Sequence, residues 1–442
     1  MNTRNGRATP QIVIIGSGFG GLNAALKLAR HPVKVTLIDR RNHHTFQPLL
    51  YQVATAGLSP GEIAAPIRWI FSGHRNVEVV LGEVHDVDLD RRVLKLADRE
   101  LPYDYLIVAA GASHAYFGHD EWEPLAPGLK TIEDALEIRR RVLLAFEMAE
   151  RRAASGGGQV QLNFVIVGGG PTGVELAGTL SGIARCALAD EFVSIDPKSM
   201  RTILLEGGPR VLPAYPEDLS RSAEDQLREL GVEVHTSAMV TGVEPAAVVM
   251  GKTRLPAAVI LWAAGVAASP LGKKLGAPTD RSGRVLVNPD LSIPGRPEVF
   301  VIGDLASLKQ KNGQPVPGLA PAAIQQGKAT ARNILRDLEG KPRKDFNYFD
   351  KGSLATIGRS AAVGQFGKIH ISGFLAWLAW LTVHIFFLIG FRNRILVLIQ
   401  WAWSYFTYER GAQLITGDQT LPSWKELTRD ERGVEKETKI TA

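Results

Sequence analysis

The sequence contains a single cysteine, Cys186, in 442 residues. One thiol cannot form a disulfide within the chain and cannot supply the C-x-x-C pair of a dithiol redox site. This count excludes the classes of reductase that pass electrons through two cysteines. The first ten residues also lack the apolar core of a signal peptide, so we expect that the protein is not exported.

Clustered basic charge is also missing, although the chain has a formal net charge of +6 and a pI near 9.3. Its arginines are spread along the sequence, and no segment combines basic with aromatic residues as a nucleic-acid groove would. We therefore predict no nucleic-acid partner. A diffuse basic surplus suits a protein that lies on an anionic membrane surface.

The adjacent histidines His43 and His44 have no further residues at metal-ligand spacing nearby in the sequence. No further ligand stands at the spacing that a metal site requires, so we predict that the protein binds no metal. We expect both histidines to lie on the protein surface.

Charge is scarcest in residues 371–408, where Arg392 and Arg394 are the only formally charged side chains. The stretch also holds half of the tryptophans of the chain. Residues 373–391 are apolar apart from Thr382 and His384, and their length approaches the roughly 20 residues needed to cross a bilayer.

Residues 395–408 differ, because Gln400, Ser404 and Thr407 form a narrow polar stripe at helical spacing. The opposite side is apolar, which is typical of an amphipathic helix lying in a membrane interface. We expect attachment in the membrane plane rather than a span, because the polar stripe would find no polar phase inside hydrocarbon. A buried or dimer-forming pair of helices is the alternative. Past Gly411 the chain is polar, and we expect a mobile end.

A glycine-rich turn joins an apolar run to a helical pattern within residues 163–182. Gly168, Gly170 and Gly173 match G-x-G-x-x-G, in which the glycines permit the turn, the approach of a pyrophosphate and close helix–strand packing. The start of the helix then faces the anion with unpaired N–H groups. One such match alone is weak evidence, because glycine turns between strands and helices are common.

The same pattern recurs near the start of the chain as Gly16, Gly18 and Gly21. Later landmarks repeat in the same order: a strand ending in an acid, a strand beginning Val-Glu-Val, and a strand ending in Ala-Ala-Gly. The last landmark ends at Gly111 in one copy and at Gly265 in the other. We therefore predict an α/β fold with two tandem Rossmann-like dinucleotide-binding domains and a C-terminal membrane-associating helical region.

Each half has an acid at the end of its second strand. Asp39 lies 18 residues beyond Gly21, close to the spacing at which a carboxylate accepts a hydrogen bond from a ribose hydroxyl. Its counterpart, Glu206, follows Gly173 by 33 residues, because residues 183–200 add a longer helix and a loop. A carboxylate there repels a 2′-phosphate, so we expect NADH rather than NADPH.

A strand ending in Gly303-Asp304 is expected to return the chain to the first domain and hold the rest of a long cofactor. A helix then begins near Pro321, a residue type suited to the first helical turn. Gln325 and Gln326 fall in its opening turns, where composition alone favours a solvated helix face.

With these residues in view, the chain resembles the type II NADH:quinone oxidoreductases, single-subunit flavoproteins with two dinucleotide-binding domains. The resemblance covers residues 10–415, and its motifs in chain order are GSGFGG, FQPLLYQVA, GGGPTGVELAG, VIGD, IQQG and KGSLATIGR. Few of these are specific alone, but together in this order they are. One departure is Pro321, which replaces the first glutamine of the family's A-Q-x-A-x-Q motif. The resemblance therefore implies a quinone contact from Gln325 but not from a second glutamine.

The resemblance implies that FAD binds in the first half and NADH in the second. The residues implied for FAD are Gly16, Ser17, Gly18, Phe19, Gly20, Gly21, Asp39, Arg40, Gln47, Gly111, Gly303 and Asp304. Those implied for NADH are Gly168, Gly170, Gly173, Glu206 and Gly265. The implied catalytic residues are Glu175, Gln325 and Lys351, the last as a stabiliser of the anionic reduced flavin. For Glu175 the alternative is favourable placement near the helix dipole, and for Lys351 an ordinary surface position.

The expected division of the chain follows from the same resemblance. Its parts are the first part of the FAD-binding domain (1–120), a helical connection (121–158), the NADH-binding domain (159–280), the second part of the FAD-binding domain (281–345), a membrane-anchoring region (346–415) and a polar tail (416–442).

The implied activity is FAD-dependent oxidation of NADH, with a hydride passing to flavin N5, followed by two-electron reduction of a membrane quinone. The expected location is the cytoplasmic face of the cell membrane, as a peripheral, monotopic protein on the lipid bilayer surface, and a homodimer is left open. One alternative is another quinone- or ferredoxin-linked flavin reductase of the same architecture. Another is a non-catalytic, nucleotide-sensing membrane protein.

Overall fold

The computed structural model describes residues 9–407 and 410–428. This part of the chain forms two compact units, each assembled from three segments. The first unit consists of Met1–Thr45, Ala64–Ser113 and Val266–Lys351, and the second of Phe46–Ile63, His114–Gly265 and Gly352–Ala442.

The helices and strands of the described residues are as follows. The helices are α1 (Phe19–Leu28), α2 (Leu50–Ala54), α3 (Pro60–Ile63), α4 (Ile67–Ile70), α5 (Ile132–Ala154), α6 (Pro171–Gly182), α7 (Glu217–Glu229), α8 (Leu271–Lys274), α9 (Ala320–Leu338), α10 (Gly373–Phe387) and α11 (Phe391–Thr407). The strands are β1 (Gln11–Ile15), β2 (Lys34–Asp39), β3 (His43–Thr45), β4 (Ala64–Pro66), β5 (Val77–Leu81), β6 (Asp86–Asp88), β7 (Val93–Lys95), β8 (Glu100–Pro102), β9 (Tyr105–Val108), β10 (Ala112–His114), β11 (Asn163–Val167), β12 (Arg201–Leu205), β13 (Val232–His235), β14 (Gly242–Glu244), β15 (Ala247–Met250), β16 (Thr253–Pro256), β17 (Val259–Trp262), β18 (Val266–Ala268), β19 (Val285–Leu286), β20 (Ser292–Ile293), β21 (Arg296–Val301), β22 (Ala306–Ser307), β23 (Ser353–Gly358), β24 (Ala361–Phe366) and β25 (Ile369–Ser372).

A six-stranded sheet in the order β20-β21-β9-β1-β2-β5 forms the centre of the first unit. Only β20 pairs antiparallel in this sheet. The apolar run of β1 buries Ile12, Val13 and Ile14 completely, as expected for a parallel strand covered on both faces. On one face of the sheet α1 packs so closely against α9 that a Cβ on Gly327 would overlap the backbone carbonyl of Gly20.

The second unit contains a four-stranded parallel sheet in the order β13-β12-β11-β17. This order repeats β5-β2-β1-β9 of the first unit strand for strand. The turn after each central strand is also tied in the same way: the amide of Gly16 donates to Ile38 (2.8 Å), and that of Gly168 donates to Leu205 (2.7 Å). The predicted tandem of Rossmann-like units is therefore confirmed.

The long helix α5 of the second unit begins with a capping box. The Thr131 side chain accepts from the Asp134 amide, and the Asp134 carboxylate accepts from the Thr131 amide, which satisfies two donors at the helix start. This helix lies within residues 121–158, where a helical connection was expected.

The strand β5, which begins at Val77, pairs in parallel with β2 and extends the main sheet, and the antiparallel meander is β6-β7-β8. One local expectation was wrong. His44 was expected on the surface, but it is only 2% exposed, because its ring fills the space beside the first glycine loop. Its neighbour His43 is half-buried.

The C-terminal segment of the second unit is an antiparallel sheet, β23-β24-β25, followed by α10 and α11. The second helix was expected to start at residue 395, but α11 begins four residues earlier, and Tyr408 lies outside the described residues. Among the described helices, none is both long enough and apolar enough to cross a membrane.

The outer surface of these two helices is mostly apolar, although Thr382, Arg392 and Thr407 are also exposed. Gln400 and Ser404, from the expected polar stripe, are partly buried, whereas large apolar side chains are exposed. The exposed set includes Leu375, Phe386, Phe391, Leu398, Ile399 and Phe406.

The expectation of a mobile end past Gly411 was wrong for the residues that the structure describes there. Arg140 donates to the carbonyl oxygens of Asp418 (2.6 Å) and Thr420 (2.7 Å). The Ser423 hydroxyl is buried and donates to the Ala258 carbonyl at 2.5 Å. These bonds hold the segment against the second unit, and residues 429–442 of the expected tail lie outside the described part.

Candidate functional site

The first glycine loop leaves open space where α1 begins. Gly16 has a φ of +94°, and a Cβ there would overlap the Ala109 carbonyl. Gly18 has extended backbone angles, and an added Cβ would meet no atom within 4 Å. A Cβ on Gly21 would overlap the Gly16 carbonyl, so this glycine permits the helix to pack on the strand. The three glycines therefore serve the turn, the approach of a ligand and the packing, respectively.

Asp39 closes this loop at the end of β2. Its Oδ2 accepts hydrogen bonds from the amide of Ser17 (2.6 Å) and from the Ser17 hydroxyl (2.7 Å), and its Oδ1 accepts from the Arg41 amide (2.8 Å). The carboxylate is thereby fixed in position. The Arg40 side chain instead lies on the surface and pairs with Glu83 at 3.5 Å.

Other predicted cofactor residues of the first unit gather around this loop. Phe19 packs edge-to-face on the His44 ring (5.1 Å between centroids), and His44 Nδ1 lies 2.7 Å from the Ser17 carbonyl oxygen. Gly111 and Gly303 both have positive φ. Gly20 lies at the contact of α1 with α9, and Asp304 lies in the 3-10 turn Gly303–Leu305.

Gln326 was expected on a solvated helix face, but it is 2% exposed and its Oε1 accepts from the Gly303 amide at 2.6 Å. Gln325 is also engaged, because its side chain donates to the Phe349 carbonyl (2.9 Å) and accepts from the Phe349 amide (3.0 Å). This pair of bonds fixes the segment that leads to Lys351, whose side chain is exposed.

The second glycine loop reproduces the geometry of the first. Gly168 has a φ of +109°, and a Cβ there would lie 2.6 Å from the Ala263 carbonyl oxygen. An added Cβ on Gly170 would meet nothing within 4 Å. A Cβ on Gly173 would overlap the Gly168 carbonyl, as at the third glycine of the first loop.

Glu206 takes the place of Asp39 in this second loop. Its Oε2 accepts from the Gly169 amide and its Oε1 from the Gly208 amide, both at 2.6 Å. The longer segment between Gly173 and Glu206 contains a π-helical turn at Ile183–Ala187 and irregular chain. Gly265 lies beneath the exposed ring of Phe117, which a Cβ there would approach to 2.8 Å.

Gln47 belongs to the second unit, in the 3-10 turn before α2. Its side-chain amide donates to the Lys130 carbonyl at 3.1 Å.

Glu175 lies in the second turn of α6 and is half-buried. Burial raises the pKa of its carboxyl group to about 8, although the Thr356 amide donates to it and acts in the opposite direction. Glu175 is therefore protonated at neutral pH. The dipole at the start of a helix would instead lower the pKa of a carboxyl group, so it does not explain this result. Burial and the Glu175 charge also raise the pKa of Tyr51 and that of Tyr215.

Tyr51 and its neighbour Gln52 were quoted only within a motif at the sequence level, but both belong to this cluster. The Gln52 amide donates to the Tyr51 hydroxyl at 2.8 Å, and the Trp401 indole donates to Gln52 Oε1 at 2.7 Å. Arg410 donates to the Thr55 carbonyl at 2.6 Å, and burial lowers the pKa of its guanidinium to about 10. The sequence signals for this cluster were the motif GGGPTGVELAG, which contains Glu175, and the motif FQPLLYQVA, which contains Tyr51 and Gln52.

These two loops have the features that a dinucleotide requires. Each offers open space at its middle glycine, the start of a helix, and a carboxylate fixed at the end of the neighbouring strand. A fold with two such units, and with a half-buried carboxyl group of raised pKa in the helix after the second loop, is that of an oxidoreductase that binds two dinucleotides.

Comparison with known proteins narrows this class. Residues 10–327 match the model of the pyridine nucleotide-disulphide oxidoreductase family, and residues 351–408 match that of the NDH2 C-terminal domain. The type II NADH:quinone oxidoreductase NdhA of Mycobacterium tuberculosis is 47% identical over 92% of this chain and 89% of its own length. A second one from that organism, Ndh, is 45% identical over 98% of this chain and 97% of its own length.

A solved structure of NDH2 from Plasmodium falciparum in complex with NADH shares the fold, with a TM-score of 0.82 and 21% identity over 93% of this chain and all of that chain. The chain belongs to the type II NADH:quinone oxidoreductase family.

Proposed function

We propose that this protein uses FAD in the first glycine loop to oxidise NADH held in the second, and that it reduces a quinone. The single observation that supports the proposal best is the repeated loop geometry, with open space at Gly18 and at Gly170. FAD supplies the redox chemistry when bound, because it accepts two electrons from a nicotinamide and returns them to a quinone. The side chains of the protein supply binding, orientation and protons.

In the first loop, the amides at the start of α1 bind the pyrophosphate of FAD. The Asp39 carboxylate, already oriented by Ser17 and Arg41, accepts from the adenosine ribose. Gly111, Gly303 and Asp304 complete this site, as the family resemblance implies.

In the second loop, Glu206 is fixed by two backbone amides at 2.6 Å each. A carboxylate so held accepts from a free 2′-hydroxyl but repels a 2′-phosphate. The site therefore favours NADH over NADPH, and Gly265 belongs to it, as the family resemblance implies.

Glu175 is the proton donor for the quinone. Because NADH contributes one hydride, conversion of a quinone to the quinol takes up one further proton. An acid with a pKa of about 8 is protonated at neutral pH yet can release its proton. Tyr51 and Tyr215 lie beside it and remain protonated, because burial raises their pKa values.

Gln325 and Lys351 act together at the end of the first unit. Gln325 holds the backbone of Phe349 through two hydrogen bonds, which leaves one amide hydrogen and one lone pair for the quinone. Lys351, two residues further on, stabilises the negative charge of the reduced flavin.

The exposed apolar side chains of α10 and α11 attach the protein to the membrane. Phe391 is 78% exposed and Phe406 is 80% exposed, which is costly in water. Each large apolar side chain moved out of water contributes roughly 1.5–3 kcal/mol. The cytoplasmic face as the site of attachment, and a homodimer, are implied by the resemblance alone.

Stopped-flow spectroscopy of the purified holoprotein tests the proposed activity. NADH should bleach the flavin absorbance, and addition of a quinone should restore it. A yellow protein that NADH bleaches but that only ferredoxin reoxidises would favour the alternative reductase. Slow bleaching by NADH would favour a nucleotide-sensing protein.

Vesicle flotation tests the membrane surface. Replacing Phe391, Ile399 and Phe406 by serine should release the protein from vesicles of mixed zwitterionic and anionic lipid without loss of flavin. These substitutions are preferable to removal of the helices, because Trp380 in α10 is only 2% exposed and belongs to the core. Retained flotation would place the membrane contact elsewhere.

A further inference from the structure

His44 is a buried histidine that holds the backbone of the first glycine loop in place. It lies in β3 and is 2% exposed, and its Nδ1 lies 2.7 Å from the Ser17 carbonyl oxygen. A carbonyl oxygen only accepts, so Nδ1 carries the hydrogen and donates it to Ser17. The Phe19 ring packs edge-to-face against the imidazole at 5.1 Å between centroids. The loop therefore fixes both the tautomer and the orientation of this ring.

The other ring nitrogen of His44 explains why the ring stays neutral. Nε2 is buried and has no hydrogen-bond partner among the described residues. A second proton on the ring would sit at Nε2 without an acceptor, and burial lowers the pKa of His44. This side chain therefore offers the loop a single donor, which is directed at Ser17.

The bond from His44 determines the direction of the next amide along the loop. The Ser17 carbonyl and the Gly18 N–H belong to one peptide plane, and this peptide is trans. In a planar trans peptide the C=O and the N–H point in opposite directions. Because the oxygen is held at His44, the Gly18 N–H points away from the histidine ring. An added Cβ on Gly18 would meet no atom within 4 Å, so a ligand can approach this residue closely.

The second glycine loop holds the matching carbonyl without a side chain. Gly169 corresponds to Ser17, and its carbonyl oxygen accepts from the backbone amide of Leu212, also at 2.7 Å. The amides of the two residues donate alike, each to the acid at the end of the neighbouring strand. His44 therefore supplies in the first loop the donor that the backbone supplies in the second.

We propose that His44 is a positioning residue for FAD, which holds the Ser17–Gly18 peptide so that the Gly18 N–H donates to the pyrophosphate. This inference rests on the proposed binding of FAD in the first loop. Without the donor of His44, the peptide can rotate and turn the Ser17 carbonyl oxygen toward the anion. Hydrogen bonds to a charged group are stronger than neutral ones, so the loss of a well-directed amide weakens binding measurably.

The variants His44→Leu and His44→Asn separate the donor from the bulk of the side chain. Leucine has no donor, so the rate of FAD release from the diluted holoprotein, followed by flavin fluorescence, should rise about tenfold to hundredfold. The asparagine amide nitrogen is bonded to Cγ as Nδ1 is, so it can donate to Ser17 and should keep the rate within about threefold of the original. His43→Leu is the control in the same strand, and it should leave the rate unchanged, because His43 Nδ1 lies 2.9 Å from the Asn42 side chain instead.

Phosphorus NMR of the bound flavin reports on the pyrophosphate itself. In excess FAD, the resonances of the bound form should move toward those of free FAD in His44→Leu and stay in place in His44→Asn. A loss of fold stability alone would not move them. Should His44→Leu not yield folded protein, His44→Gln serves instead and should give the same shift. Its amide nitrogen lies one carbon further out, at the position of Nε2, which has no partner among the described residues.

An unchanged rate of FAD release in His44→Leu would overturn the inference, as would an asparagine variant that releases FAD as fast as the leucine variant. Phosphorus resonances that stay in place in His44→Leu, or an equal rise in rate in His43→Leu, would also contradict it. Gly18→Val measured in parallel separates the inference from the function on which it rests. Loss of FAD from Gly18→Val with an unchanged rate in His44→Leu contradicts only the inference. Full retention of FAD by Gly18→Val overturns both.

Discussion

The two glycine loops surround their three glycines in the same way, yet the helices that follow differ at one matched position. Asn23 in α1 occupies the place that Glu175 occupies in α6. The Asn23 amide donates to the Phe19 carbonyl of its own helix at 2.9 Å, whereas Glu175 is held by Thr356 of β23 and has a raised pKa. The geometry of the glycine loop is thus common to both halves, whereas the carboxyl group with a raised pKa belongs to one of them.

The elements that pack on the two loop helices differ as well. α1 packs against α9 through Gly327, and α6 packs against β23, where a Cβ on Gly178 would overlap the Ile357 carbonyl. In each half a glycine allows a later segment of the chain to pack against the loop helix. In the first half this packing places Gln326 beside Gly303, and in the second half it places the Thr356 amide beside Glu175.

The largest expected effect distinguishes the ligands of the two loops. Gly18→Val should abolish flavin binding, because its side chain would occupy the open space where the pyrophosphate binds. Gly170→Val should leave the protein yellow but prevent bleaching by NADH. Visible spectra and stopped-flow bleaching measure both effects. Neither glycine has a positive φ or a close neighbour, so loss of flavin from both variants would show that the halves are assigned wrongly.

Substitution of the two matched residues, Glu175 and Asn23, tests which half supplies the proton to the quinone. Glu175→Gln should slow reoxidation of the flavin by quinone about a hundredfold, because a general acid is lost. Asn23→Gln in the first half should leave this rate nearly unchanged. Rates that fall equally in both variants would contradict the difference between the halves.

Glu175→Gln should also change the pH dependence of the free energy of unfolding. The folded pKa of Glu175, about 8, lies above its ordinary value of 4.5, so the folded state holds a proton that the unfolded state releases. The free energy of unfolding therefore falls as the pH rises from about 4.5 to about 8. Chemical denaturation at several pH values should show a flatter profile for the variant, and an unchanged profile would contradict the raised pKa.

A change of the third glycine should affect both halves alike. Gly21→Ala and Gly173→Ala each place a Cβ on a backbone carbonyl of their own loop. We expect each to lower the free energy of unfolding by about 2 kcal/mol. Thermal or denaturant unfolding of the holoprotein measures this, and Gly18→Ala, where a Cβ has space, is the matched control.

The smallest expected effect concerns the acids at the strand ends. Glu206→Gln should raise kcat/KM for NADPH relative to NADH about tenfold, because a neutral amide no longer repels the 2′-phosphate. Asp39→Asn should leave this ratio unchanged and weaken FAD retention during gel filtration. Equal use of the two nucleotides by the unmutated protein would contradict the assignment of Glu206.

The sequence was sufficient to predict the tandem repeat and both glycine loops. These features depend on short-range rules, such as a glycine at positive φ or an apolar run in a parallel strand. The same rules failed for His44 and Gln326, whose burial depends on distant neighbours. The six-part division of the chain and the site roles inherited from the family resemblance stay predictions.

The sequence by itself determined that two dinucleotides bind, because a phosphate-binding loop requires glycines at a few neighbouring positions. Only the tertiary structure decided that Glu175 holds a proton at neutral pH, because that depends on burial beneath β23. It also decided that Gln52 meets Trp401, which is 349 residues away in the chain. Contacts at such separation form only after the chain has folded, and no local pattern specifies them.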